Sequence, residues 1–184
     1  RALTGLFSIS ALRNYFNHLV ELRGEFELQH RSLQAIIGDT QMANRLWEQT
    51  TQLAVRSPYR VKELVSYTKQ LAAYRIENEK LYDTTKRLAD IASGVGIDMQ
   101  RLILAYGQVK AANYLRGTEL RQFSEAGINI LGKLADRFTE LEGRAVSVGD
   151  VFERVSKRMV SFADVEAVLK GMTDVSGEFY NMQE

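Results

Sequence analysis

His18 and His30 are the only imidazoles in the chain, and they stand twelve residues apart. A metal pair on one helical face needs steps of three or four with a carboxylate in reach, so this spacing favours a surface or interface role. The chain has no cysteine, which removes disulfides, thiolate nucleophiles and cysteine-based zinc sites. No serine stands in a Gly-x-Ser-x-Gly turn, the arrangement that lifts a hydroxyl above a sheet for nucleophilic attack. The acid pairs Glu77 and Glu79, and Glu140 and Glu142, lie beside lysines and arginines and read as solvated helix charge. Gly94-Val95-Gly96 lacks the third glycine and the following Lys-Ser/Thr of a phosphate loop, and its pattern is that of a helix stop. The residue types therefore point away from catalysis: no enzyme, no cofactor and no metal is expected.

Two binding chemistries have partial signatures. Ala92, Gly96, Ile97 and Leu102 fall at helix-turn-helix offsets, but the second helix would present Asp98, Met99, Gln100 and Arg101 to the groove. One arginine beside an aspartate is a poor footprint for phosphate-rich DNA. Tyr67, Tyr74 and Tyr82 are spaced like a stacking platform, as are Tyr106 and Tyr114. Between Pro58 and Glu140, however, 13 basic residues face 10 acidic ones, and the whole chain carries only +1. Tyrosines edging a helical core with wet hydroxyls are the better reading, and DNA contact is unsupported by charge.

The elements that must position these groups are helices. The chain has 184 residues, 45% of them hydrophobic and 26% charged, enough for a core in one domain or two small ones. A single proline fits long helical stretches. No apolar run approaches the ~18 residues that span a bilayer. Arg1 opens the chain with no charged-then-apolar leader, as expected of a piece of a longer protein.

Apolar residues recur at steps of three and four throughout. Leu3 to Val20 forms a first run, Gly24 a break, and Phe26 to Ile37 a second run whose brief alternation makes residues 25–37 the hardest to assign. Asp39 or Thr40 caps a helix through Leu53; Ser57-Pro58 then precedes one over about Tyr59 to Ala73. Asn78 starts a helix that Gly94 and Gly96 stop, and Asp98 caps another through Tyr114, ended by Arg116-Gly117. Thr118 begins a short helix that halts at Ala126-Gly127, and Asn129 opens one through Phe138. Ser147 to Asp150 reads as a loop before the inward-facing Val151, Val155 and Met159. Ser161 caps Phe162 to Met172, and the tail from Thr173 is expected to fray. The fold class is all-α: a multi-helix globular bundle of short amphipathic helices with a longer N-terminal helix.

Four stretches in fixed order carry a family likeness. They are Ser57-Pro58-Tyr59 with Val61-Lys62-Glu63-Leu64 and Leu71-Ala72-Ala73-Tyr74; Leu88-Ala89-Asp90-Ile91-Ala92 with Gly94-Val95-Gly96-Ile97; Gly117 to Ile128; and Val160-Ser161-Phe162-Ala163-Asp164-Val165 with the Gly177-x-Phe179 tail. From Ser57 to Tyr180 the chain resembles the conserved globular region of bacteriophage tail tape measure proteins. The resemblance implies a non-enzymatic structural protein of a phage or prophage tail, made in the bacterial cytoplasm and housed in the tail lumen of the virion. It implies a role in setting tail length, in tail assembly and in genome delivery, with tail-tube proteins, tail-tip proteins and assembly chaperones as partners. Membrane contact is implied only during ejection.

Two departures from a simple ruler shape the expectations. Glycines recur from Gly94 to Gly177 at short, irregular intervals, unlike a long heptad array, so residues 57–184 are expected to form a compact tape-measure-like domain. Residues 1–56 are expected to be an N-terminal helical segment, the end of a longer helix. Leu12, Phe16, Leu19 and Val20 lie on that first helix without an obvious mate and form the candidate interaction face for self-association or docking.

Overall fold

Polar caps and apolar stripes cut the chain into nine α-helices among the described residues, which in this computed structural model are 9–184, without the side chains of residues 9–12, 15 and 16. In order they are α1 (Ile9–Ile37), α2 (Thr40–Val55), α3 (Val61–Ala73), α4 (Leu81–Val95), α5 (Met99–Ala112), α6 (Gly117–Glu125), α7 (Ile130–Glu142), α8 (Val148–Ser156) and α9 (Phe162–Thr173). A 3-10 turn at Asn78–Lys80 leads into α4. The fold is all-α, and the one extended contact among the described residues is an isolated bridge between Tyr114 and Ser161.

The starts follow from side chains that satisfy free N–H groups. Asp39 accepts from the Met42 N–H (2.8 Å), Asp98 from Gln100 (2.9 Å) and Asn129 from Gly132 (3.1 Å). Ser147 with Asp150, and Ser161 with Asp164, form reciprocal capping boxes. Gly96 ends α4 in the left-handed region (φ 73°), where only glycine sits without strain, and the Ile97 N–H closes the turn on the Ala92 carbonyl.

Helix α5 is the hub. Met99, Leu102, Ile103, Ala105, Tyr106, Gly107 and Val109 are buried along it, and α3, α4, α6 and α9 pack around it. A fully buried side chain such as Leu102 contributes about 1.5–3 kcal/mol relative to exposure. The apolar core runs without interruption past Ser57-Pro58, since Leu33, Leu46 and Leu53 join Leu64, Leu71 and Leu88 in one cluster.

Several expectations are corrected. Gly24 does not break the first helix: α1 is continuous through it, because an exposed glycine within a helix costs only about 1 kcal/mol and Leu33 and Ile37 anchor the helix beyond it. Residues 25–37 are helical, with Leu33 and Ile37 buried and Leu28 outside. Helix α3 starts at Val61, where the Glu63 carboxylate accepts from the Arg60 N–H. Gly94 lies inside α4, its missing side chain making room for the Phe179 ring. Helix α5 stops at Ala112, because Asn113 turns left-handed (φ 65°) and Leu115 pairs with Val160. Gly117 begins α6, and Val148 to Asp150 begin α8. Met159 faces solvent, since Arg158 (φ 59°) turns the chain before it. The tail folds back on α4, with the Gln183 N–H on Asp90 (3.2 Å).

Candidate interaction face

Helix α1 joins the body through one apolar line, Phe26, Leu33 and Ile37, at the helical steps of seven and four. Leu33 is fully enclosed. Phe26 meets Trp47 of α2 edge-on (centroids 6.0 Å apart), and His30 stacks on the same indole (4.9 Å) while bonding Asn44 (2.8 Å). Lys62 pairs with Glu25, and Lys69 donates to Gln29 (2.9 Å) and Ser32 (3.2 Å) from α3. Desolvation in that contact lowers the affinity of Lys69 for its proton.

Above Glu25 these attachments end. Every residue from Asn17 to Gly24 is exposed, so the helix stands clear of the body on all sides. Leu19 (42% exposed) and Leu22 continue the line of Phe26 outward, and Val20 (70%) lies on its flank. The side chains of Leu12 and Phe16 lie outside the described residues. The structure therefore places Leu19 and Val20 on one free helical stretch and adds Leu22 to it, in line with Phe26 where the helix meets the body. The step of three from Leu19 already marks Leu22, while a break at Gly24 hides its continuity with Phe26.

Other exposed apolar groups gather at α8. Val148 and Phe152 share its outer side one turn apart, with Leu141 before and Met159 after it in the chain, all exposed. A cavity of about 230 Å³ between α5 and α6 is lined by Arg101, Leu104, Gln122 and Phe123.

The polar groups serve the scaffold. His18 is exposed on α1. Hydrogen bonds from Arg154, and pairing with Arg144, hold Glu142 below the usual carboxylate range. Bonds from Ser147 do the same for Asp150. Burial raises Asp90, against the pull of Lys86 and the Gln183 N–H. Tyr106 is fully enclosed rather than wet at its tip, and burial raises its proton affinity; its hydroxyl donates to Glu166 (3.4 Å). Tyr67, Tyr74, Tyr82 and Tyr114 are half-buried at the edges of the core. No three acids or histidines among the described residues could hold a metal ion together. The would-be recognition helix of a helix-turn-helix is α5, and of the residues that would lead it into a groove Met99 is buried and Gln100 is bonded to Gln70. Among the described residues, no helix is long and apolar enough to cross a membrane.

Comparison with known families places this geometry. A family model described as tape measure protein matches residues 17–184. No curated protein and no solved structure matches the chain.

Proposed function

Because the chain belongs to the tape measure protein family, we propose that it is a folded docking module within a ruler that sets phage tail length and assists tail assembly and genome delivery. Membership makes it a structural protein of the phage tail that works with other tail proteins. The family match extends beyond Ser57 into α1, so the free stretch belongs to the matched region.

One observation carries the docking role: α1 leaves the body as a helix exposed on every side from Asn17 to Gly24. Isolated helices shorter than about 12–15 residues are marginal in water, and most helical stability comes from packing an apolar face. The outer part of α1 therefore favours a partner that covers Leu19, Val20 and Leu22. The body is built differently from a measuring rod. Its capped helices fold back on one core, so its length is not proportional to its residue count. A second copy of the chain, a tail-tube or tail-tip protein, or an assembly chaperone is the proposed occupant, in the tail lumen of the virion.

Sedimentation of the chain over a range of concentrations tests the face. Association that weakens in Leu19→Ser and Leu22→Ser supports docking between copies through α1. A monomer at high concentration rules that occupant out.

A further inference from the structure

Residues 174–184 are packed against the grain of their own composition. Val175, Tyr180 and Met182 face solvent, whereas Gln183 is 1% exposed and neither its amide nitrogen nor its amide oxygen has a partner among the described residues. A segment that turns apolar side chains out and an unpaired amide in is in local conflict with the fold it joins.

Its attachments are few and discrete. The Phe179 ring covers Gly94 on α4, where any added Cβ would collide with it. The Phe179 N–H donates to the Met172 carbonyl (2.8 Å), and the Gln183 N–H to Asp90 (3.2 Å). Lys86 donates to Asn181 (2.7 Å) and pairs with Glu184 (4.0 Å), and Lys133 pairs with Glu178 (2.7 Å). Gly177 lies against the Met172 backbone, where an added Cβ would collide. The remaining backbone bonds are short-range turns, from Gly177 to Asp174, Tyr180 to Gly177, Met182 to Phe179 and Glu184 to Asn181. These can persist when the segment lifts away.

We propose that residues 174–184 are a releasable strap, which peels from α4 as a unit while the helical body stays folded. Segments with few buried apolar contacts open at far lower cost than the core they rest on. Opening exposes Phe179 beside Tyr180 and Met182 in one short apolar run. It also vacates the Gly94 surface, whose shape accepts an aromatic ring. The strap is thus a built-in cover over the Gly94 surface of α4.

Hydrogen exchange read by mass spectrometry on the full chain, together with Gln183→Leu and Phe179→Ala, tests this. The expected result is exchange of residues 174–184 that is insensitive to low denaturant and faster than in α4 and α9. Gln183→Leu should slow it about tenfold, because the unpaired amide is gone. Phe179→Ala should speed it up and leave α4 and α9 unchanged. Exchange of the segment only through global unfolding overturns the strap. So does a Gln183→Leu variant that exchanges as fast as the wild type, or a Phe179→Ala variant that loosens α4 and α9 as well.

Discussion

Gly107 offers a test of packing whose sign reverses with one neighbour. It lies in the interior of α5, and a Cβ built there would overlap the Tyr74 ring, its Cγ included. Gly107→Ala therefore combines two opposed effects. Forcing a methyl group into a filled space costs about 1–3 kcal/mol, while replacing glycine in a helix interior gains about 0.8–1 kcal/mol. The net is a loss of about 1 kcal/mol, equivalent to a fall in Tm of about 2–4 °C for a chain of this size. In a Tyr74→Ala background the obstacle is absent, and the same substitution should stabilise by about 1 kcal/mol through propensity alone. Urea unfolding followed by circular dichroism on the four chains of this cycle gives the coupling directly, provided the slopes agree. Stabilisation by Gly107→Ala in the wild-type chain would refute the reasoning, as would an equal effect in both backgrounds.

Further outcomes follow from other contacts. Ser161→Ala removes the hydroxyl that accepts the Asp164 N–H, and should cost about 1 kcal/mol in urea unfolding. Leu19→Ser with Val20→Ser should change unfolding free energy by no more than about 0.5 kcal/mol, since both are exposed; a larger loss would mean that they already pack within the chain. Asp90 is raised chiefly by burial, so its contribution to stability is fully present below the ordinary carboxylate range and is lost as pH rises through its elevated folded-state value. Asp90→Asn should accordingly gain on the wild type between about pH 3 and pH 7; an unfolding free-energy difference constant over that range would contradict the burial effect.

Most helix starts were legible because they depend on local chemistry. Asp39, Asp98, Asn129 and Ser161 each accept an N–H a few residues ahead, and such spacing is visible in the sequence. Glycines were less so, because their effect depends on distant surroundings. Gly24 carries no turn and stays within α1, while Gly94 stays within α4 to admit Phe179 from the far end of the chain. Helical projection from Val155 failed at Met159, where Arg158 changes the chain direction. The exposed outer part of α1, the proposed docking face, was legible in part. Leu19, Val20 and Leu22 follow from periodicity, but their alignment with Phe26, which packs on Trp47, emerges only once α1 is seen to be continuous. The docked tail depends on Asp90, Lys86 and Lys133, contacts that span much of the chain and that no local pattern encodes.

Tail length after in-frame deletion of this segment from its parent phage, measured by electron microscopy, bears most directly on the folded docking module. A stretched, fully helical ruler of this length would span ~280 Å at ~1.5 Å per residue. Tails of unchanged length with assembly or infectivity lost are the predicted result. Tails shorter by about that amount would show that the segment is drawn out as part of the ruler, contradicting the account.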